Sequence, residues 1–194
     1  MALAWIRDRL PADEASIEAS ERAIADFLLD FAGHCGAEKV HVIAHSIGNR
    51  GLLRALQRIA ADAQTRGQVK LGQVFLAAPD LDRDLFLDIA GLYPEHAERT
   101  TLYASDGDKA VHLSAELHDA PRASYFIPFT VAPGVDTVAV TDFDIDLLGH
   151  GYFAQAEALL HDIYDAMRHS QPPVRRQRIM PAFHEGVSFW KLRR

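Results

Sequence analysis

Cysteine is nearly absent: Cys35 stands alone in 194 residues. That excludes an intramolecular disulfide and any site built from several thiolates, such as a structural zinc or an iron–sulfur cluster. Positive charge is also short, with 20 Lys and Arg against 27 Asp and Glu and a formal net charge of −7. A surface for nucleic acid or anionic lipid needs clustered cations that displace counterions from phosphates, so neither is expected as the main partner. No run approaches the ~18 apolar residues of a membrane span. Ala2-Leu3-Ala4-Trp5-Ile6 is followed at once by Arg7, Asp8 and Arg9, without the basic and apolar regions of a secretory signal, and the chain is read as cytoplasmic by default.

Several site motifs are missing as well. There is no His-Glu-x-x-His, no Gly-x-Gly-x-x-Gly and no phosphate-loop lysine, so a zinc peptidase, a dinucleotide enzyme and a nucleotide hydrolase all lack their basic parts. Asp142, Asp144 and Asp146 imitate the first half of a calcium loop. Leu147 stands where that loop needs glycine, and Phe153 where it needs its bidentate glutamate. No metal and no cofactor is expected.

What is present is ordinary globular material, 48% hydrophobic and 24% charged. Short apolar runs alternate with helical patterns, the order of an α/β protein. After Pro11, Asp13 is a candidate N-cap for a helix whose inward face carries Ile17, Ile24, Phe27, Leu28 and Phe31, ending at Gly33 and Gly36. Lys39 to Ala44 reads as a strand, and a helix with Leu52, Leu53, Leu56 and Ile59 follows. Further strands are expected at Val74 to Ala78, Thr100 to Ser105 and Val135 to Thr141, with helices over Asp80 to Ala90, Ala110 to His118 and Phe153 to Met167. The spacers are long enough for crossovers, which makes the four strands parallel. Residues 1–169 are taken as one domain and residues 170–194, with Pro172-Pro173 and then Arg175, Arg176 and Arg178, as a basic tail.

Chemistry concentrates at Ala44-His45-Ser46-Ile47-Gly48, a serine between small residues at a strand-to-helix junction. This is the pattern of a nucleophile elbow, in which a sharp turn lifts the serine hydroxyl above the sheet. The helix start offers the Ile47 N–H as an oxyanion donor. A serine needs a base and a carboxylate to orient it, and both follow at later strand ends. His150, between Gly149 and Gly151, is the candidate base among ten histidines; Asp108 leads as the acid, with Asp106 and Asp80 as alternatives. His45 and His41 are read as packing residues. The loop Pro121 to Gly134, with Tyr125, Phe126 and Phe129, is the candidate wall of an acyl pocket.

The same residues carry a resemblance. Asp13-Glu14-Ala15-Ser16, Ala44-His45-Ser46-Ile47-Gly48-Asn49-Arg50, Leu76-Ala77-Ala78-Pro79-Asp80-Leu81-Asp82-Arg83-Asp84-Leu85-Phe86, Tyr103-Ala104-Ser105-Asp106-Gly107-Asp108 and Gly149-His150-Gly151-Tyr152 stand in an order that resembles the bacterial alpha/beta hydrolases of unknown function, over roughly residues 10 to 165. The resemblance implies a lipase-like, mostly parallel sheet flanked by helices, and places Ser46, Asp108 and His150 as nucleophile, acid and base for a small acyl substrate. It also implies strands before the elbow strand and a His-Gly segment with a second oxyanion donor. Only 45 residues precede Ser46, with at most a short strand at Ala2 to Ile6, and they hold no His-Gly. The expectation is therefore an α/β-hydrolase sheet lacking its usual first strands, with Val40, Val42 and Ile43 on an exposed edge. The chain is then an N-terminally shortened hydrolase, or a homo-oligomer that completes its sheet with a second subunit. A non-catalytic binding or oligomerisation module of the same fold is the alternative to a serine hydrolase.

Overall fold

In the computed structural model, which describes residues 2–105, 107–124, 130–141 and 157–193, the apolar runs become the parallel strands β1 (Val42–His45), β2 (Leu71–Ala77), β3 (Ala97–Ala104) and β4 (Val135–Ala139). Helix α1 (Ala2–His34) precedes them, α2 (Gly48–Ala61), α3 (Arg83–Ile89), α4 (Leu92–His96) and α5 (Lys109–His118) lie between them, and α6 (Glu157–His169) follows β4. A 3₁₀ turn at Pro173–Arg175 leads into β5 (Ile179–His184) and β6 (Val187–Leu192). The sheet order is β1-β2-β3-β4-β6-β5, parallel except for the β5–β6 hairpin.

Strand alternation divides the core into two. Val74, Leu76, Leu102 and Ala104 turn to the side of α1 and α2, where Leu52, Leu53, Leu56 and Ile59 of α2 and Ala25 and Leu28 of α1 are buried. Phe75, Tyr103 and Val138 turn to the other side, against Leu159, Ile163 and Ala166 of α6. Helices on both faces leave every residue of β2 buried, as a central parallel strand requires. β1 is an edge strand, paired with β2 alone among the described residues, and Ile43 is 46% exposed.

Three expectations are corrected. Residues 2–34 form one helix that runs through Pro11, so there is no strand at Ala2 to Ile6 and no cap at Asp13. Phe27 and Phe31 do not join Ile24 and Leu28 inside; they remain exposed and stack on each other at 5.4 Å. The segment taken as a basic tail joins the sheet through its residues 179–192. β6 continues the sheet beside β4 through Val138↔Trp190 and Ala139↔Lys191, and β5 pairs with it along its whole length.

The physical reason for the last correction is Arg176, one of the basic residues assigned to the tail. Its side chain is wholly buried, with Nε on Asp162 Oδ1 at 3.0 Å, Nη1 on Thr101 Oγ1 at 3.0 Å, and Nη2 shared between Tyr103 and Asp162 Oδ2. Tyr103 also donates to Asp162 at 2.8 Å. Burial alone would weaken the guanidinium, but Tyr103 and Asp162 beside it hold its pKa above the ordinary arginine value. One cluster thus joins β3, α6 and the turn before the hairpin.

At the opposite edge, His41 accepts the Gln73 N–H on Nδ1 at 2.9 Å. Burial, with Lys39 adding to it, holds His41 below its ordinary value of 6.5. The folded state therefore favours neutral His41. That contribution to stability is present above about pH 6.5 and is lost as pH falls through the lowered value. Urea midpoints measured between pH 7.5 and 5 are expected to fall less steeply in His41→Asn, whose amide oxygen replaces the acceptor without titrating. For the buried cluster, Arg176→Met leaves Asp162 uncompensated and is expected to lose about 3–5 kcal/mol by urea denaturation. The double variant Arg176→Met with Asp162→Leu recovers most of that loss.

Candidate functional site

The parallel strands β1 to β4 all end on one side of the sheet, and the turns leaving β1, β2 and β3 meet there. Ser46 follows β1 in the left-handed region at φ 53°, and Ala78 follows β2 at φ 44°. For side chains other than glycine such backbone costs about 1–2 kcal/mol per residue. It persists only where the surroundings over-determine it. At Ser46 they do. Its N–H donates to Ala77 O at 3.0 Å, and its carbonyl accepts from Asn49 N at 3.1 Å, Asp80 N at 3.3 Å and Asn49 Nδ2 at 2.8 Å. The end of β1 is thereby fastened to the end of β2.

Helix α2 starts directly after the turn, with Ile47 as its N-cap residue and no side-chain cap. The first N–H groups of the helix, with the positive end of its dipole, lie beside Ser46. Ser46 itself is partly exposed, while Ala44 before it and Asn49 after it are buried. The small residues expected on either side of the elbow are thus where the turn needs them: Ala44 faces the core and Gly48 opens the helix.

The three candidate acids stand differently. Asp108 is 1% exposed and caps α5, its Oδ1 accepting from Ala110 N at 3.1 Å and Val111 N at 3.0 Å. Asp80 is buried against Arg122 Nε at 3.1 Å and accepts the Ser114 hydroxyl at 2.8 Å, so its Oδ1 already has a cation and a donor. Asp106 and His150 lie outside the described residues, as do Tyr125, Phe126, Phe129 and the acidic run from Asp142 to Asp146. Asp82 caps α3 through Leu85 N. Among the described residues no three His, Cys, Asp or Glu converge as a metal site.

Two features escaped the sequence. His118 bridges Glu14 Oε1 at 3.0 Å and the Ser114 carbonyl, and with Arg50, Leu85 and Arg122 it lines a cavity of about 290 Å³ between α1, α2 and α5. Glu14 pairs there with Arg50 at 2.9 Å, which ties α1 to the first turn of the helix behind the elbow. The second is Asn49, which has no exposed surface under the Ser46 turn. No local spacing rule marks either, because Asn49 stands 28 residues from Ala77 and Glu14 stands 36 from Arg50.

The left-handed Ser46 has a thermodynamic signature. Ser46→Gly relieves the steric cost of φ 53° and Ser46→Ala does not, although both remove the hydroxyl. Ser46→Gly is expected to be about 1 kcal/mol more stable than Ser46→Ala by urea denaturation.

With the geometry in hand, comparison with known proteins adds one match. The family model described as alpha/beta hydrolase of unknown function covers residues 10–167, and the chain belongs to that family. No curated protein matches the chain, and no solved structure does. No described helix is long and apolar enough to cross a membrane.

Proposed function

We propose that this alpha/beta hydrolase is a serine hydrolase acting on an ester or related acyl substrate, with Ser46 as nucleophile, His150 as base and Asp108 as the acid that orients it. The observation that carries the reading is Ser46: a non-glycine residue at φ 53° between a parallel strand and an uncapped helix N-terminus, held by four hydrogen bonds. A serine that only capped the helix would have no need of left-handed backbone. His150 enters by its place between two glycines after β4 and by the family resemblance. Asp108 is favoured over Asp80 because Asp80 is already neutralised by Arg122.

The chemistry runs in two halves. Ser46 Oγ attacks the acyl carbon while His150 takes its proton, and the carbonyl oxygen becomes an oxyanion facing the Ile47 N–H. The oxygen–carbon bond to the leaving group breaks as His150 returns the proton to it. Water then attacks the acyl-serine with His150 again as base, releasing the acid and restoring Ser46. In such sites one oxyanion donor is worth about 10²–10³ in turnover.

The test is labelling of the purified protein with a fluorophosphonate, alongside hydrolysis of a p-nitrophenyl ester. Labelling is expected in the wild type, absent in Ser46→Ala, and reduced about 10³–10⁴-fold in His150→Ala and Asp108→Asn. Asp108→Asn is the informative variant. Asn caps a helix about as well as Asp, so a merely structural Asp108 leaves both labelling and melting unchanged, whereas an orienting carboxylate loses labelling with melting intact. A folded wild type that takes no label overturns the reading.

A further inference from the structure

Asn49 occupies the first turn of α2, a position where a polar side chain ordinarily reaches water. Here it is 0% exposed. Its Nδ2 donates to Ser46 O at 2.8 Å and to Ala77 O at 3.2 Å, the two carbonyls at the ends of β1 and β2. Its Oδ1 is buried with no hydrogen-bond partner among the described residues. A residue selected for packing alone would not carry an unsatisfied oxygen into the core, since leucine fills a similar volume without one. The donor pair is the reason for the side chain. Serine is too short to span both carbonyls, and aspartate would turn an acceptor on them.

The peptide bond gives the contact its consequence. The Ser46 carbonyl and the Ile47 N–H belong to one planar unit and point in opposite directions. Whatever pins that carbonyl also fixes where the Ile47 N–H points. We infer that Asn49 is a positioning residue for the reaction: by holding the Ser46 carbonyl against the end of β2 it sets both the left-handed Ser46 and the direction of the Ile47 N–H toward the oxyanion. This rests on the serine-hydrolase reading and deepens it. Of the four hydrogen bonds to the Ser46 backbone, the Asn49 Nδ2 bond is the one a side-chain substitution removes.

The experiment compares wild type, Asn49→Ala, Asn49→Leu and, as a control on the same helix, Arg54→Ala, by fluorophosphonate labelling rate, p-nitrophenyl acetate kcat and KM, and thermal melting. Two backbone donors to the Ser46 carbonyl remain in the Asn49 variants, so a partial loss is expected. Labelling rate and kcat fall about 10- to 100-fold with KM unchanged and a cooperative melt retained, since misplacement of about 1 Å costs a factor of that order. Arg54→Ala behaves as wild type. An Asn49→Leu protein that melts cooperatively and labels at the wild-type rate overturns the inference and leaves the hydrolase reading standing. Exchange of the Asn49 side-chain amide protons in wild type, followed by NMR, covers two further cases: variants that do not fold, and a wild type that takes no label. In the second case the hydrolase reading fails. In both, slow exchange keeps the holding role and exchange at the rate of a free asparagine removes it.

Discussion

A parallel sheet ends all its strands on one side, and that constraint shapes everything the chain can do chemically. Each strand must leave the sheet at the same edge and return through a crossover, so the turns after β1, β2 and β3 are forced into one another's company. In this chain the company is bonded. The Ser46 N–H and carbonyl engage Ala77, Asn49 and Asp80, and Ala78 donates to Tyr103 O at the end of β3. Three consecutive strand ends are thus linked by backbone hydrogen bonds outside the sheet ladder, and two of them carry left-handed residues that would relax if the links were cut. The strain is local, but what maintains it is the register of the whole sheet.

That register is secured from the far side by the Arg176 cluster. A buried ion pair is not in itself a strong source of stability, because removing two charges from water offsets much of their attraction. What it supplies here is specificity of placement. Arg176 has hydrogen bonds to Thr101, Tyr103 and Asp162, three residues on two elements, and only one position of the 170–178 segment satisfies all of them. With that segment fixed, Ile179 and Leu192 enter the core beside α6 and the hairpin completes the sheet next to β4. β4 consequently has a neighbour on both sides, whereas among the described residues β1 pairs with β2 alone.

The sequence made the parallel frame legible where local pattern and tertiary demand agree. Val74, Phe75 and Leu76 sit in a continuous apolar run because a central parallel strand is covered on both faces, and the elbow announces itself because small residues must flank the turn. Legibility failed where burial depends on a distant partner. Arg176 looks like solvent-facing charge until Asp162 is placed under it. Pro181 breaks the strand pattern of β5, which tolerates it by lying at the sheet edge. Phe27 and Phe31 share helical spacing with Leu28, but periodicity reports only which residues can share a face. Asn49 was invisible for a related reason: an asparagine after a glycine at a helix start is common, and nothing local says that two carbonyls from different strands converge on it.

The elbow joins the two arguments. A left-handed serine is unfavourable, a buried amide oxygen without a partner is unfavourable, and both occur within four residues of each other at the edge where the strands end. Chains chosen for stability alone do not accumulate such features in one place; they gather where a particular geometry is held against local preference. Each of the two is intelligible through the other, since the amide that leaves its oxygen unsatisfied is the one that holds the Ser46 carbonyl. The helix behind them is held in turn, because Arg50 in its first turn is paired with Glu14 and Glu18 of α1. The geometry at Ser46 is therefore set from three directions, by the end of β2, by the side chain of Asn49 and by the docking of α1 on α2.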